Sequence, residues 1–370
     1  MLDGTDGTVR VHTPKFYGKS GSNGNKRWVR ISLVKLDDSW VEIPELLIDA
    51  YRNTVDNTVS ATPKAVSVVN TTEAFRGGGN RAQFDEYLTT ELDTKDAFRS
   101  DLGKPRTNVS RANMRTYATN AGSELLCYEY YKWIFYWNYV IEYANFNSQA
   151  AYNAELTSDG YRQGGLGPGV TDWSNSATSW SGYNGTYPIT PCGYCNDIGN
   201  FTGIKDLVIP ECTATNETDT VATKTFKVPR WRGFDNPFGD IWTNLDGVVI
   251  QRTAANEISS VYTTTNKEEF TDVIGSKTIA GYEVAQDGHI KEFDLGETAE
   301  IIPSSCTGAS ATTYICDYHS CNATSTELRT LLVGGDAING SNAGLGSFNS
   351  NFVVGFAYSD VGFRTLNRVS

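Results

Sequence analysis

The stretch LLVGGDAINGSNAGLGSFNSNFVVGFAYSDVGFRTL, residues 331–366, sets an apolar run at each end of a polar, glycine-rich middle. The runs at 328–335 and 361–366 predict two strands that bracket the segment 336–358. Inside the segment, Asn339, Asn342, Asn349 and Asn351 supply amide donors and acceptors beside the aromatic faces of Phe348, Phe352 and Tyr358. Adaptable paratopes and carbohydrate sites use that mixture. A loop clamped at both ends can carry it, because a rigid scaffold lets loop side chains vary without unfolding the domain. These seven residues are the first candidate ligand contacts, and their side chains are expected to face solvent. Arg364, beside a strand glycine, is expected to satisfy buried carbonyls or a carboxylate instead of a ligand.

Working back along the chain, VRVHTPKFY (9–17) and WVRISLV (28–34) predict a hairpin whose long loop is GKSGSNGN. NVSRANMRTYATNAG predicts a helix capped by Asn108 or Ser110, with Met114, Tyr117 and Ala118 on one face and Gly122 at its end. SELLCYEYYKWIFYWNYVIEYANFN predicts a second helix capped by Ser123, with apolar residues recurring at Tyr130, Trp133, Ile134, Trp137, Val140 and Ile141. Aromatic residues on nearly every side place that helix between layers. A region of about 148–206 follows, rich in Gly, Ser, Thr and Asn and lacking periodicity, which predicts long loops. Short β-type runs come after it: LVIP, TFKVPRW, GDIWTNLDGVVIQ, EFTDV, KTIAGYEVA and the two around 336–358. Strands, two helices, long loops and then many short strands make an α+β domain. The expected single domain, 1–370, divides into a strand hairpin (about 1–50), a helical pair (about 108–147), the loop region and a C-terminal variable-loop and strand region (about 328–370).

The loop region adds Trp173, Trp180 and Tyr183, with Tyr187, as further candidates. They fill a satellite core or stand exposed as stacking anchors, and the residues alone favour neither. WRGFDNPFGDIW and the Arg230 before it bring together Arg230, Arg232, Asp235 and Asp240, but its Gly, Pro and Asn read as a shaped turn more than as acid–base machinery.

Composition narrows the function. A net charge of −12 argues against a nucleic-acid partner, whose affinity comes from clustered Lys and Arg. WIFYWNYVI (133–141) falls far short of the roughly 20 apolar residues of a membrane helix, so no membrane insertion is expected. The first 20 residues are polar and carry no signal-like apolar core, which leads us to expect no ordinary secretion. Seven cysteines are too few for a disulfide scaffold of this size, and Cys192-Gly-Tyr-Cys195 has no second pair at zinc spacing. No metal and no cofactor is expected.

Three stretches together resemble the C-type-lectin-fold receptor-binding proteins of bacteriophages, including targets of diversity-generating retroelements, and more distantly the formylglycine-generating-enzyme-like domains. KPRTNVSRANMRTYATNAG with YYKWIFYWNYVIEYANFNSQAAYN looks like the paired helices of that fold, WRGFDNPFGDIWTNLDGVVIQ like a recurrent fibre segment, and 331–366 like the closing strand, variable loop and GFR strand. The opening MLDGTDGTVRVHTPKFYGKS looks like the start of such modules. The resemblance implies a C-type-lectin-like fold whose last strand, 361–366, lies on the early hairpin near 9–17. It implies a non-enzymatic virion protein of a head or tail fibre, assembled in the bacterial cytoplasm as a homotrimer. Its partners would be other virion fibre, capsid or tail proteins and a bacterial surface receptor, glycan or protein. Two alternatives stand beside it: a structural virion component with no receptor, and an oxidase. The oxidase chemistry relies on cysteines near the closing strands, and none occurs between Gly334 and Ser370.

Overall fold

The computed structural model describes residues 2–24, 26–78, 98–148, 189–210 and 223–369. Among them β-structure predominates, so the balance lies further toward β than the α+β expectation. Two helical segments longer than one turn follow each other in the chain.

The first helix, Arg111–Asn120, forms where its local signals place it. The Ser110 side chain accepts from Asn113 N at 3.4 Å, and Met114 and Ala118 are buried. Gly122, at φ +70°, ends it in the left-handed region that glycine adopts without a Cβ clash. Backbone N–H groups of Gly122 and Ser123 donate to the carbonyls of Thr119 and Ala118, each at 2.9 Å. Ser123 therefore closes the first helix and does not cap the second, contrary to expectation. Glu124–Leu125 leaves as a short strand, and the second helical run begins at Tyr128. It continues through a π-helical segment, Tyr131–Trp137, to Asn138–Tyr143. The periodic residues are buried except Ile141, and Tyr128, Tyr131, Phe135, Tyr136 and Tyr139 are buried too, so the helix is wrapped on nearly every side.

The hairpin is tighter than its sequence suggests. Phe16–Asn23 pairs with Lys26–Ser32 from Tyr17↔Ser32 to Asn23↔Lys26, so most of GKSGSNGN is strand, not loop. Its glycines serve packing: a Cβ on Gly18 would stand 2.3 Å from the Trp133 ring. The predicted strand over 9–17 is broken after Thr13, ahead of Pro14, and Arg10–Thr13 departs to pair with Leu46–Asp49.

A large sheet runs in the order Thr278–Glu283, Ser259–Thr263, Trp242–Arg252, Arg329–Val333, Phe348–Ser350, Tyr318–Cys321 and Gly288–His289. Trp242–Arg252 and Arg329–Val333 are buried along nearly their whole length, the pattern of strands covered on both faces. Gly247 (φ +64°) lies where the pairing between them shifts, and a Cβ there would meet Thr264 O at 2.4 Å. The predicted strand EFTDV is instead a turn, because Lys277 Nζ donates to the carbonyls of Glu269 and Val273 and curls the chain around itself.

A second sheet has the order Arg10–Thr13, Leu46–Asp49, Thr365–Arg368, Glu124–Leu125. The last strand's direct neighbour is thus Leu46–Asp49, with 10–13 one strand further out. The closing run is also split. Val361–Gly362 pairs in parallel with Trp242 and Thr243 of the large sheet before Thr365–Arg368 enters the second. Phe363 and Arg364 cross between the sheets, which puts Arg364 in the core. Its guanidinium donates to the carbonyls of Asp49, Ala50, Asp235 and Asn236, the structural role its sequence context implied.

Candidate functional site

Residues 336–360 start and finish in buried structure, and three environments follow one another along them. At the base, Asp336 accepts from Trp242 Nε1 (3.1 Å) and Ile338 N (3.2 Å). Burial, and then the adjacent Asp360, hold its carboxyl well above the usual carboxylate range, and burial raises Asp360 as well. The Asp360 carboxyl adjoins that of Asp336, so the two ends of the segment meet here. Asn339 Oδ1 accepts from Asp336 N at 2.9 Å, and Ser347 Oγ donates to Asn342 O at 2.7 Å. Both asparagines are half-buried on the turn around Gly340–Asn342.

The middle, 343–350, overturns the solvent-facing expectation. Phe348–Ser350 is an inner strand of the large sheet, with Tyr318–Cys321 on one side and Arg329–Val333 on the other. Phe348 is 1% exposed and Asn349 6%, so neither side chain reaches a ligand from solvent. The preceding glycines allow the strand to approach Asp317: a Cβ on Gly344 would stand 1.8 Å from its carboxylate, and Gly346 N donates to Asp317 Oδ2 at 2.6 Å. Burial pushes the Asp317 carboxyl up to about 8.

The third part, 351–358, does face outward. Its backbone is pinned from several directions: Arg329 Nη1 donates to Asn351 O (3.0 Å), Thr330 N to Phe352 O (3.0 Å), Val354 N to Leu328 O (3.2 Å) and Asn108 N to Tyr358 O (2.8 Å). On this frame three rings stack in a row. Phe352 and Phe356 lie 3.8 Å apart between centroids, and Phe356 and Tyr358 5.9 Å, with interplanar angles of 17° and 16°. Phe352 and Phe356 rest partly on the apolar cluster containing Met114 and Phe363, while Tyr358 is 50% exposed and Asn351 is exposed.

Of the sequence candidates, the structure thus brings Asn351, Phe352 and Tyr358 onto one surface. It leaves Asn339 and Asn342 on a separate turn and buries Phe348 and Asn349. Trp173, Trp180 and Tyr183 lie outside the described residues. Phe356 was missed; its spacing in FVVGFAY, aromatic residues around a glycine, is the signal that could have found it.

Among the described residues, two clusters and a cleft elsewhere hold groups with chemical potential. Cys306 Sγ lies 3.8 Å from His319 Nδ1, and His319 Nε2 lies 2.9 Å from Glu283 Oε1, the outline of a nucleophile, base and orienting acid. All three are buried, and His319 Nδ1 also faces Gln286 O at 2.8 Å. With both ring nitrogens facing acceptors the imidazole is held as a cation. Burial opposes the charge, but the bonds to Cys306 and Glu283 outweigh it and push the pKa up to about 9. Burial leaves the Cys306 sulfur out of reach of a substrate from solvent. Cys192 and Cys195 are buried, their sulfurs 3.5 and 3.6 Å from the carbonyls of Arg52 and Val228. Arg230 and Asp235 pair internally at 3.3 Å, Asp240 accepts from Thr190 and the exposed Arg232 pairs with Glu142 at 2.8 Å, so this stretch is a structural turn as expected. An open cleft of about 770 Å³ beside the first helix is lined by Arg115 and Arg368, but these are already paired with Asp246 and Asp272, and with Glu124.

The fold and the site define a mostly β scaffold that presents a short, backbone-pinned aromatic surface. No protein family and no curated protein matches the chain. Among solved structures it is similar to a "Major Tropism Determinant U1 Variant", at 10% identity over 96% of this chain and 73% of that one, with a TM-score of 0.30. No helix among the described residues is long and apolar enough to cross a membrane.

Proposed function

We propose that the chain is a non-enzymatic adhesin of a bacteriophage virion, and that it binds a bacterial surface glycan or protein through 351–358. The observation that carries the reading is the stack of Phe352, Phe356 and Tyr358, which ends in a half-exposed ring on a frame of backbone hydrogen bonds. A preordered aromatic face loses little conformational entropy on binding, and the amide of Asn351 beside it offers both a donor and an acceptor. Aromatic faces stack on pyranose rings or on apolar side chains, so the surface suits either kind of receptor. The resemblance of the helical pair and closing segment to phage receptor-binding proteins points the same way. The burial of Cys306, His319 and Glu283 speaks against catalysis at that cluster.

A homotrimer fits this role, since weak contacts gain strength when several copies engage one surface. Binding of the purified protein to candidate host bacteria tests the reading. Saturable binding that Tyr358→Ala abolishes supports it. A protein that joins the virion but binds no bacterium is a structural component instead.

A further inference from the structure

A second aromatic surface lies far along the sequence from the first. Trp28 from the hairpin, Phe146 after the second helix, Phe293 and Tyr314 line an open groove of about 280 Å³, near the lower end of the ~300–1,000 Å³ typical of small-ligand sites. Two of these rings are held for display. Trp28 lies across the ladder from Gly21, where a Cβ would stand 2.3 Å from the indole, so the ring occupies the space the glycine leaves. Tyr314 is 54% exposed although its backbone sits at φ +60°, a conformation that bulky residues rarely adopt. Phe146, 40% exposed, stands open as well.

Charge at the rim is the reverse of the molecule's. The chain carries −12 overall, yet Arg27 and Lys291 line this groove against a single carboxylate, Glu292. Arg30 adds a third cation, its guanidinium carbon 4.6 Å from the Trp28 ring centroid, and Lys291 Nζ lies 5.6 Å from that of Tyr314. The exposed ring of Phe146 suits the apolar face of a pyranose, and the cations lying over Trp28 and Tyr314 suit a carboxylate on the same sugar. We infer that this groove is a second ligand site, and that it takes an acidic saccharide, a uronic or sialic acid unit of a surface polysaccharide. A neutral sugar would leave the cations with aromatic neighbours but no anion, and an apolar peptide side chain would have no use for them.

The inference stands apart from the reading of 351–358, and the test keeps the two separate. The full chain is titrated calorimetrically, with tryptophan fluorescence in parallel, against trigalacturonate, sialyllactose and the neutral maltotriose. The expected result is binding of at least one acidic probe, weakened by salt, with maltotriose far weaker. Lys291→Glu lowers that affinity about tenfold or more. Tyr314→Gly removes the ring while easing the positive-φ backbone, so it abolishes binding and leaves melting intact. Tyr358→Ala leaves the acidic probe bound as in wild type. Equal binding of maltotriose, unchanged affinity in folded Tyr314→Gly or Lys291→Glu, or no binding of either acidic probe overturns the assignment.

Discussion

Replacing Arg364 with methionine keeps most of the side-chain volume and removes the guanidinium. The carbonyls of Asp49, Ala50, Asp235 and Asn236 then each lose this donor; Ala50 O keeps the Asp235 N–H and Asn236 O keeps Arg52, so Asp49 O and Asp235 O are the most affected. Each buried acceptor left unpaired costs about 1–3 kcal/mol, although neighbouring losses do not add in full. The buried carboxylates of Asp49 and Asp235 also lose a compensating cation, and breaking buried charge pairs typically costs about 3–5 kcal/mol. One term works the other way: Arg52 donates to the same Asn236 carbonyl, and relief of the repulsion between the two arginines returns part of the loss. The net expectation is destabilisation by about 4 kcal/mol in denaturant unfolding with an unchanged slope. Arg364→Lys keeps the charge but cannot span four carbonyls with one ammonium, so it should lose roughly half as much. A loss below about 1 kcal/mol for methionine, or full stability for lysine, would refute the crossing-point role of this residue.

Four further outcomes are expected. His319 has a pKa near 9 when folded against an ordinary 6.5, so its contribution is complete below pH 6.5 and is lost as pH rises through 9. That amounts to about 3 kcal/mol across the window, and His319→Gln should flatten this part of the stability–pH curve. Asp317, raised to about 8, binds its proton in the folded chain where the unfolded one has released it, so stability also falls between about pH 4 and 8; Asp317→Asn should remove that slope. Phe363→Ala, at a fully buried ring packed with Met114 and Leu332, should cost about 3–5 kcal/mol by thermal or chemical unfolding, and a near-neutral result would displace Phe363 from the core. Light scattering should give three times the chain mass at micromolar concentration, and a monomer there contradicts the trimer.

What the sequence revealed was local. Ser110, Met114 and Gly122 fixed the first helix because caps and a 3.6-residue period act within a few residues. The burial of Asn349 was hidden because it depends on strands distant in sequence, Arg329–Val333 and Tyr318–Cys321, that close around a polar-looking segment. Ser123 misled for the same reason: its chain is drawn off by pairing between Glu124–Leu125 and the final strand. Gly18 and Gly21 have the composition of a turn, but here they make room for Trp133 and Trp28, which only the packed structure reveals. The outward surface was half legible. Asn351, Phe352 and Tyr358 were found by residue type, while the stack that makes them one surface needed Phe356 and the backbone bonds behind it.

The most direct test of the recognition surface is a comparison of host binding by the wild-type chain and the double variant Asn351→Ala/Tyr358→Ala. Both side chains are exposed and each should change stability by no more than about 0.5 kcal/mol, so the melting curve should be nearly superimposable on that of the wild type. A few contacts dominate binding at such surfaces, and the account predicts that the folded double variant no longer binds cells that the wild type binds saturably. A double variant that melts normally and binds those cells with wild-type affinity contradicts it.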